Sequence, residues 1–170
     1  MKKILLCVLC ACLVIFSYGH NIDKSNLQTK TNLQTSIEYI KKFEGFSSTA
    51  KKDSRGYSVG YGFNFIDGKR VQKGQTITKA QADKQIVKIV LQNRKHYQHL
   101  VEPQYLFILD SFAYQYGLKK LNNIILNKKV NCPKLLKYKY VNKVDCSKSN
   151  SCKGVYNRSL FYYNKCLEIK

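Results

Sequence analysis

Two carboxylates in the first third of the chain have the settings that acid–base chemistry needs. Glu44 lies between Phe43 and Phe46 at the predicted end of a helix, and an apolar surround raises the pKa of a carboxylic acid. Asp53 follows nine residues later in a polar, basic stretch, where we expect it to stay ionised. One such group can protonate a leaving oxygen while the other activates water. Hydrolysis of a glycosidic bond requires that combination.

Ser58, at the start of the following predicted strand, is expected to hold a water molecule beside Asp53. The spacing alone is a weak signal, because a Glu at a helix end and an Asp in a turn are often only solvated residues. The chain has 30 Lys and Arg residues but only 10 acidic ones. The placement of each carboxylate is therefore informative, and we take Glu44, Asp53 and Ser58 as the candidate catalytic group.

A short helix followed by a small β-structure must position these side chains. Thr35 and Glu38 have the spacing of a capping box, an apolar stripe at helical spacing follows, and Gly45 can end the helix. Residues 57–65 alternate with period two and predict a strand. Asp67-Gly68 is a hairpin turn signal, with a return strand over 69–71.

The rest of the chain is mainly helical in its apolar periodicity. Caps and periodicity predict helices over residues 78–97, 103–117, 121–125 and 155–167. Residues 131–153 are rich in Lys and Ser and predict a loop region. The expected fold class is α+β, with helices dominant.

The first residues are typical of an export signal. Lys2 and Lys3 precede an apolar run over residues 4–16, and small residues stand before His20 at the −3 and −1 positions. The run is short for a membrane span. We predict a signal peptide at 1–19, a polar leader at 20–35 and one domain at 36–170. An uncleaved anchor and a lipoprotein modified at Cys12 are the alternatives.

The cysteines outside this signal fit a secreted protein. Four remain after cleavage, an even number that predicts two disulfides with three possible connectivities: Cys132, Cys146, Cys152 and Cys166. A zinc site is the weaker interpretation, because no pair has CxxC spacing and His96 and His99 are distant in sequence. No metal ligands and no organic cofactor are expected.

The charge indicates the kind of partner. The net charge is +20, and cleavage of the signal, which removes two lysines, lowers it to +18. A field of this sign speeds encounter with an anionic cell envelope at low salt. Nucleic acid is disfavoured because no reader motif is present. We expect a secreted monomer.

Several segments, in order, resemble the phage-type lysozymes, glycoside hydrolase family 24. The matching segments are residues 40–46 (IKKFEGF), Asp53, 56–62 (GYSVGYG), 77–83 (ITKAQAD), 109–117 (LDSFAYQYG) and 154–158 (GVYNR). The resemblance implies a lysozyme-like fold in which an active-site cleft separates a small β-lobe from a helical lobe. It also implies cleavage of the β-1,4 bond between N-acetylmuramic acid and N-acetylglucosamine in bacterial peptidoglycan.

The resemblance assigns roles to individual residues. Glu44 is the general acid, Asp53 acts on water, and Ser58 occupies the family's threonine position. Gln115, Tyr114 and Phe65 are expected to bind substrate. The family generally inverts the anomeric centre, which implies carboxyl groups about 6.5–9.5 Å apart.

The chain also departs from the family pattern. The turn from Asp53 to Ser58 is one residue shorter than is usual, Ser58 lacks a methyl group, and Phe63 replaces a histidine. In the last helix Ser159 and Tyr162 replace an Arg and an acidic residue, and we expect the cysteines to supply the lost support. These departures keep open an alternative function, a cationic envelope-binding protein that no longer hydrolyses anything.

Overall fold

The structure, a computed structural model, describes residues 32–53 and 56–169. The predicted signal peptide at 1–19 and the predicted leader up to residue 31 lie outside the described residues. Within these ranges no helix is both long and apolar enough to cross a bilayer.

Helices dominate the described chain, and its strands form four antiparallel hairpins. In chain order the elements are α1 (32–44), β1 (Ser47–Asp53), β2 (Gly56–Gly60), β3 (Phe65–Ile66), β4 (Lys69–Arg70), α2 (Lys79–Arg94), α3 (Leu106–Tyr116), β5 (Ile125–Leu126), β6 (Lys129–Val130), α4 (Cys132–Leu135), β7 (Tyr140–Val141), β8 (Val144–Asp145) and α5 (Lys153–Leu167). Short 3₁₀ turns occur at Pro103–Tyr105, Leu118–Asn123, Leu136–Lys139 and Asn150–Cys152. The predicted α+β class is confirmed.

Helix α1 begins earlier than the predicted cap at Thr35, since residue 32 is already helical. Tertiary contacts override the local capping signal there. The Asn32 side chain is buried and its Nδ2 donates to the Pro103 carbonyl at 2.8 Å, and Leu33 packs against buried residues. The helix therefore continues through the boundary predicted between leader and domain.

The β-structure differs from the predicted single strand over 57–65. β2 ends at Gly60, whose φ is +68°, and the chain turns at Gly62, whose φ is +84°. Phe63 then pairs back with Val59. β2 pairs instead with β1, a strand that the polar residues 47–53 did not reveal. The predicted hairpin at Asp67-Gly68 is confirmed as β3–β4.

The two long central helices follow their sequence signals. Thr78 caps α2 through a capping box with Gln81, and α3 ends at Gly117, whose φ is +82°. Pro103 begins a 3₁₀ turn, and the α-helix itself starts three residues later. α2 ends at Arg94, three residues short of the predicted end.

The segment between α3 and α5 is more ordered than predicted. Residues 131–153 contain α4 and the β7–β8 hairpin instead of a loop. The hairpin can form because Asn142 and Lys143 adopt the positive φ angles that a tight hairpin turn needs. The predicted helix at 121–125 is a 3₁₀ turn that runs into β5. Both predicted disulfides are present, as Cys132–Cys166 and Cys146–Cys152.

Two apolar cores correspond to two lobes. The N-lobe core combines α1, the β-structure and α2, and consists of Ile37, Ile40, Val59, Tyr61, Phe63, Val71, Ile77, Ala82, Ile86 and Val90. The C-lobe core is built around α3 and includes Tyr162 and Cys166 of α5. Phe43, near the end of α1, packs against the C-lobe core. Helix α1 thus contacts both cores and places Glu44 at their junction.

The disulfide between α4 and α5 should be the more stabilising of the two, because it closes the longer loop. Its cysteines are 34 residues apart, against 6 for Cys146–Cys152. The chain-entropy relation gives about 4 kcal/mol for the longer loop and about 2 kcal/mol for the shorter one. We expect Cys132→Ser/Cys166→Ser to lower the melting temperature by about 10 °C.

The matched variant Cys146→Ser/Cys152→Ser should lower the melting temperature by about half as much. Scanning calorimetry with and without a reductant measures both effects. A melting temperature that does not respond to the reductant would refute the idea that the cysteines support the last helix.

Candidate functional site

The sequence-predicted catalytic group is brought together in one cavity. A cavity of about 450 Å³ is lined by Glu44, Asp53 and Ser58, together with Lys51 and Gly62. In the β1–β2 ribbon Asp53 pairs with Gly56 and Lys51 pairs with Ser58. Because side chains alternate along a strand, this register puts Asp53 and Ser58 on the same face. Glu44 reaches the cavity from the last turn of α1.

Glu44 has a cationic partner from the far end of the chain. The Arg158 Nη1 of α5 donates to Glu44 Oε1 at 3.3 Å, and both side chains are largely shielded from solvent. The Arg158 guanidinium also stacks over the Phe43 ring, 5.3 Å from its centroid. Arg158 therefore has a structural role, because it joins the end of α1 to α5. Glu44 has this guanidinium beside it, and the guanidinium in turn lies on the Phe43 ring.

Asp53 is oriented by a residue that the sequence analysis did not identify. The Asn64 Nδ2 donates to Asp53 Oδ2 at 3.1 Å and to the Tyr57 carbonyl at 3.2 Å. Asn64 lies just after the Gly60–Phe63 turn, so this turn delivers the amide to the carboxylate. This hydrogen bond holds one oxygen of Asp53 in place. It does so even though the turn that follows Asp53 is one residue shorter than is usual in the family.

The two glycines of the turn are needed for different reasons. A Cβ at Gly60 would lie 2.6 Å from the Phe63 ring, which packs in the N-lobe core. A Cβ at Gly62 would lie 3.3 Å from Glu44 Oε2. Gly60 therefore serves core packing, whereas Gly62 lets the backbone pass close to the acid.

A second cavity continues from the first across Gly62. Its volume is about 720 Å³, and Gly62, Phe65, Tyr114 and Arg70 contribute to its lining. Two of the three predicted substrate-binding residues, Phe65 and Tyr114, therefore line it. Gln115 is exposed at the end of α3 and lines neither cavity. Because the two cavities share Gly62 in their linings, we treat them as one open groove.

The Tyr114 hydroxyl joins the two lobes. It donates to the Tyr61 carbonyl at 2.6 Å. Burial raises the pKa of Tyr114, and the negative charge of the nearby Glu44 raises it further. Burial likewise raises the pKa of Tyr61 to about 12, with the hydrogen bond to Asp83 contributing. Both phenols stay protonated at neutral pH, so the contact between the lobes does not depend on pH there.

The arrangement suits acid–base chemistry. Two carboxylates and a hydroxyl face one open cavity, with a lysine at its edge. Among the described residues, no group of three or more His, Cys, Asp or Glu side chains is placed to hold a metal ion. A hydrolytic reaction needs from this site only a proton donor, a base and room for a water molecule.

Sequence reasoning missed Asn64 because amide side chains in loops carry no periodic signal. It could not identify the partner of Arg158, since Glu44 and Arg158 are 114 residues apart. The only signal available for Arg158 was its place in the segment 154–158.

Comparison with known proteins identifies the family of the chain. The family described as phage lysozyme matches residues 41–159, more than half of the chain. No curated protein sequence is significantly similar to the chain.

Solved structures share the fold. An endolysin from Escherichia coli O157:H7 phage FAHEc1 is 25% identical, with a TM-score of 0.62 over 79% of this chain and 91% of that chain. The muramidase domain of SpmX from Asticaccaulis excentricus is 19% identical, with a TM-score of 0.56 over 78% and 94%. A mutant of P22 lysozyme is 22% identical, with the same TM-score and coverage.

Proposed function

Because the chain belongs to the phage lysozyme family, whose members hydrolyse peptidoglycan, we propose that it is a muramidase. It cleaves the β-1,4 bond between N-acetylmuramic acid and N-acetylglucosamine. The observation that carries the proposal is the single open cavity lined by Glu44, Asp53 and Ser58. The glycan lies along the groove, with further sugar rings in the larger cavity beside Phe65 and Tyr114.

Glu44 is the general acid. It lies at the junction of the two lobes, where a glycosidic oxygen in the groove can approach its carboxyl group over Gly62, which has no side chain to obstruct it. Proton transfer to that oxygen lets the sugar leave as positive charge develops at its anomeric carbon. The Arg158 guanidinium then stabilises the carboxylate that this transfer leaves behind.

Asp53 activates the attacking water, and Ser58 helps to hold it. These two side chains share one face of the β1–β2 ribbon and line the same cavity as Glu44. Attack by this water on the face of the sugar opposite the leaving oxygen inverts the anomeric centre. The products are glycan chains that end in a reducing N-acetylmuramic acid.

Product analysis of digested, purified peptidoglycan tests the bond and the mechanism. After borohydride reduction, the new ends should be muramicitol, and early NMR spectra should show the α-anomer. Reduced glucosamine ends would contradict the bond assignment. A 1,6-anhydro-muramyl end would contradict attack by water, and an initial β-anomer would contradict inversion.

Asn64 is expected to act as a positioning residue for Asp53. The substitution Asn64→Leu keeps much of the side-chain volume but removes the donor to Asp53 Oδ2. Hydrogen bonds to charged groups are worth about 1.5–3 kcal/mol, so kcat should fall at least about tenfold. KM should change little, because Asn64 acts on the carboxylate and not on the bulk of the glycan.

The matched control is Asn123→Leu, which removes an exposed amide that lines neither cavity and does not contact Asp53. It should leave kcat near the wild-type value. Equal kcat values for Asn64→Leu and the wild type, with a normal melting temperature, would refute the positioning role.

We also propose that the protein is exported and that cleavage precedes His20. The basic start and the short apolar run of residues 4–16 support this. Expression in a bacterial host and N-terminal sequencing of the secreted form test it. A secreted chain that begins at His20 is the expected result, and a chain retained with Met1 in the membrane would favour an uncleaved anchor.

A further inference from the structure

The segment between α3 and α5 carries a strong positive charge that the proposed reaction does not use. Residues 118–153 contain ten lysines and a single acidic residue, Asp145. None of these residues lines either cavity of the groove. Two of the four hairpins, β5–β6 and β7–β8, lie in this segment.

The β7–β8 hairpin combines this charge with exposed apolar side chains. Tyr140, Val141 and Val144 are 52%, 38% and 46% exposed. Between the valines, the turn residues Asn142 and Lys143 both have positive φ, at 48° and 70°. This tip leaves apolar surface in water on a hairpin of only two residue pairs. Such a strand pair has no stability of its own.

The base of the hairpin is nevertheless firmly held. Lys139 Nζ and Asp145 Oδ2 form an ion pair at 2.8 Å across the strands, and the Cys146 amide donates to the Lys139 carbonyl at 3.0 Å. The disulfide Cys146–Cys152 then ties the hairpin to the turn before α5. A tip that is already fixed loses little conformational entropy when it binds.

The mixture of side chains indicates the kind of surface that the tip fits. Lysines near the tip in sequence can pair with phosphate: Lys137, Lys143, Lys148 and Lys153. A hydrophilic phosphate polymer would satisfy them but would leave Tyr140 and the two valines in water. A bilayer with anionic headgroups takes up both kinds of side chain, because its interface offers phosphates beside hydrocarbon.

We propose that the β7–β8 hairpin docks on anionic phospholipid bilayers, inserting Val141 and Val144 into the headgroup region. The lysines of residues 118–153 other than Lys139, which is paired with Asp145, hold the protein at the lipid surface. This binding is separate from hydrolysis, since the hairpin contributes nothing to the groove. It keeps the enzyme close to the envelope that bears its substrate.

A tryptophan placed in the tip tests the docking directly, because the chain contains no Trp. The form to use begins at His20 and includes every residue that the structure describes, with both cores. Val141→Trp should show a blue shift of its emission with vesicles of equal parts phosphatidylcholine and phosphatidylglycerol. It should show none with phosphatidylcholine alone, and concentrated salt should reverse the shift.

The matched control is Leu91→Trp, on α2 of the other lobe, where the native leucine is 45% exposed. Its emission should not change with either vesicle. A silent Val141→Trp, or equal shifts at the two positions, would overturn the proposal. A similar shift of Val141→Trp with soluble polyphosphate would also overturn it, since the partner would then be the polymer.

Binding without a reporter gives a second, independent measurement. Val141→Ser/Val144→Ser should lower co-sedimentation with the anionic vesicles about tenfold, whereas Leu91→Ser should not. Both variants should digest purified, lipid-free peptidoglycan at the wild-type rate. Unchanged vesicle binding by the double variant would refute insertion. Wild-type protein that binds the vesicles but does not digest peptidoglycan would refute the proposed hydrolysis and leave the docking intact. Slower digestion by the double variant than by the wild type would refute the separation of docking from hydrolysis.

Discussion

Replacing Glu44 with Gln should reduce the clearing of purified peptidoglycan by about a thousandfold. Gln keeps the shape of the side chain, and its carbonyl can still accept from Arg158, but it has no proton to give to the leaving oxygen. The change removes the general acid and little else. Turbidity of a wall suspension at low and moderate salt measures the rate, and scanning calorimetry checks that the variant remains folded.

The control for this variant is Glu38→Gln, which makes the same change of charge in the same helix. Glu38 is exposed and pairs only with the nearby Gln34 in the structure described, so its variant should clear walls at the wild-type rate. Clearing that survives Glu44→Gln would show that disruption of the wall does not depend on this acid.

The same assay separates the two functional hypotheses. If the wild type and Glu44→Gln both bind walls and neither clears them, the protein is an envelope-binding one on a lysozyme scaffold. The short turn after Asp53 would then be the first feature to examine. Loss of clearing in the variant alone establishes the hydrolase.

Replacing Arg94 with Met should destabilise the fold by about 3–5 kcal/mol. The Arg94 Nε donates to Asp110 Oδ1 at 2.9 Å, and the two residues are only 3% and 1% exposed. The Tyr97 hydroxyl and the Ser36 hydroxyl donate to the same carboxylate. Removing the guanidinium leaves this buried negative charge without its counter-ion. The melting temperature should fall by at least about 10 °C.

Lys88→Met is the matched control, because it removes a cation from the same helix. Lys88 pairs with Asp67 at 2.6 Å, but both side chains are mostly exposed, and surface pairs contribute at most about 1 kcal/mol. Its melting temperature should change by only a few degrees. Equal losses in the two variants would contradict the view that burial makes the Arg94 pair important.

A double variant tests the cause of this instability. Arg94→Met/Asp110→Leu removes both charges, so no unpaired ion remains in the core. It should be more stable than Arg94→Met, as non-additivity in a buried pair predicts. A double variant that is less stable than the single one would show that the network stabilises through its hydrogen bonds and not through charge pairing.

Most secondary structure could be predicted from the sequence because its signals are local. Thr78 caps α2, Gly117 ends α3 and Asp67-Gly68 turns a hairpin, each through contacts within a few residues. The candidate carboxylates could be found for a related reason. Glu44 and Asp53 are held by a helix end and a short ribbon whose residues lie close together in sequence.

The features that could not be predicted from the sequence have one common cause. They depend on partners that are distant in sequence, and such partners produce no periodic pattern of residues. Asn32 is helical ahead of the predicted cap at Thr35, and its side chain bonds to Pro103. Arg94 continues the buried spacing of Ala82, Ile86 and Val90, a signal that an arginine is buried but not of which acid neutralises it. The positions of these partners are a property of the folded chain.

The sequence by itself therefore determined the family and most of the helices and indicated the two candidate carboxylates, because short segments encode their own caps, turns and apolar faces. Tertiary structure decided which groups meet: Asn64 with Asp53, Arg158 with Glu44, and each cysteine with its partner. It also decided that residues 131–153 form an anchored hairpin instead of a loop. Those contacts depend on how the two lobes pack against α1. The spacing of residues along the chain does not predict that packing.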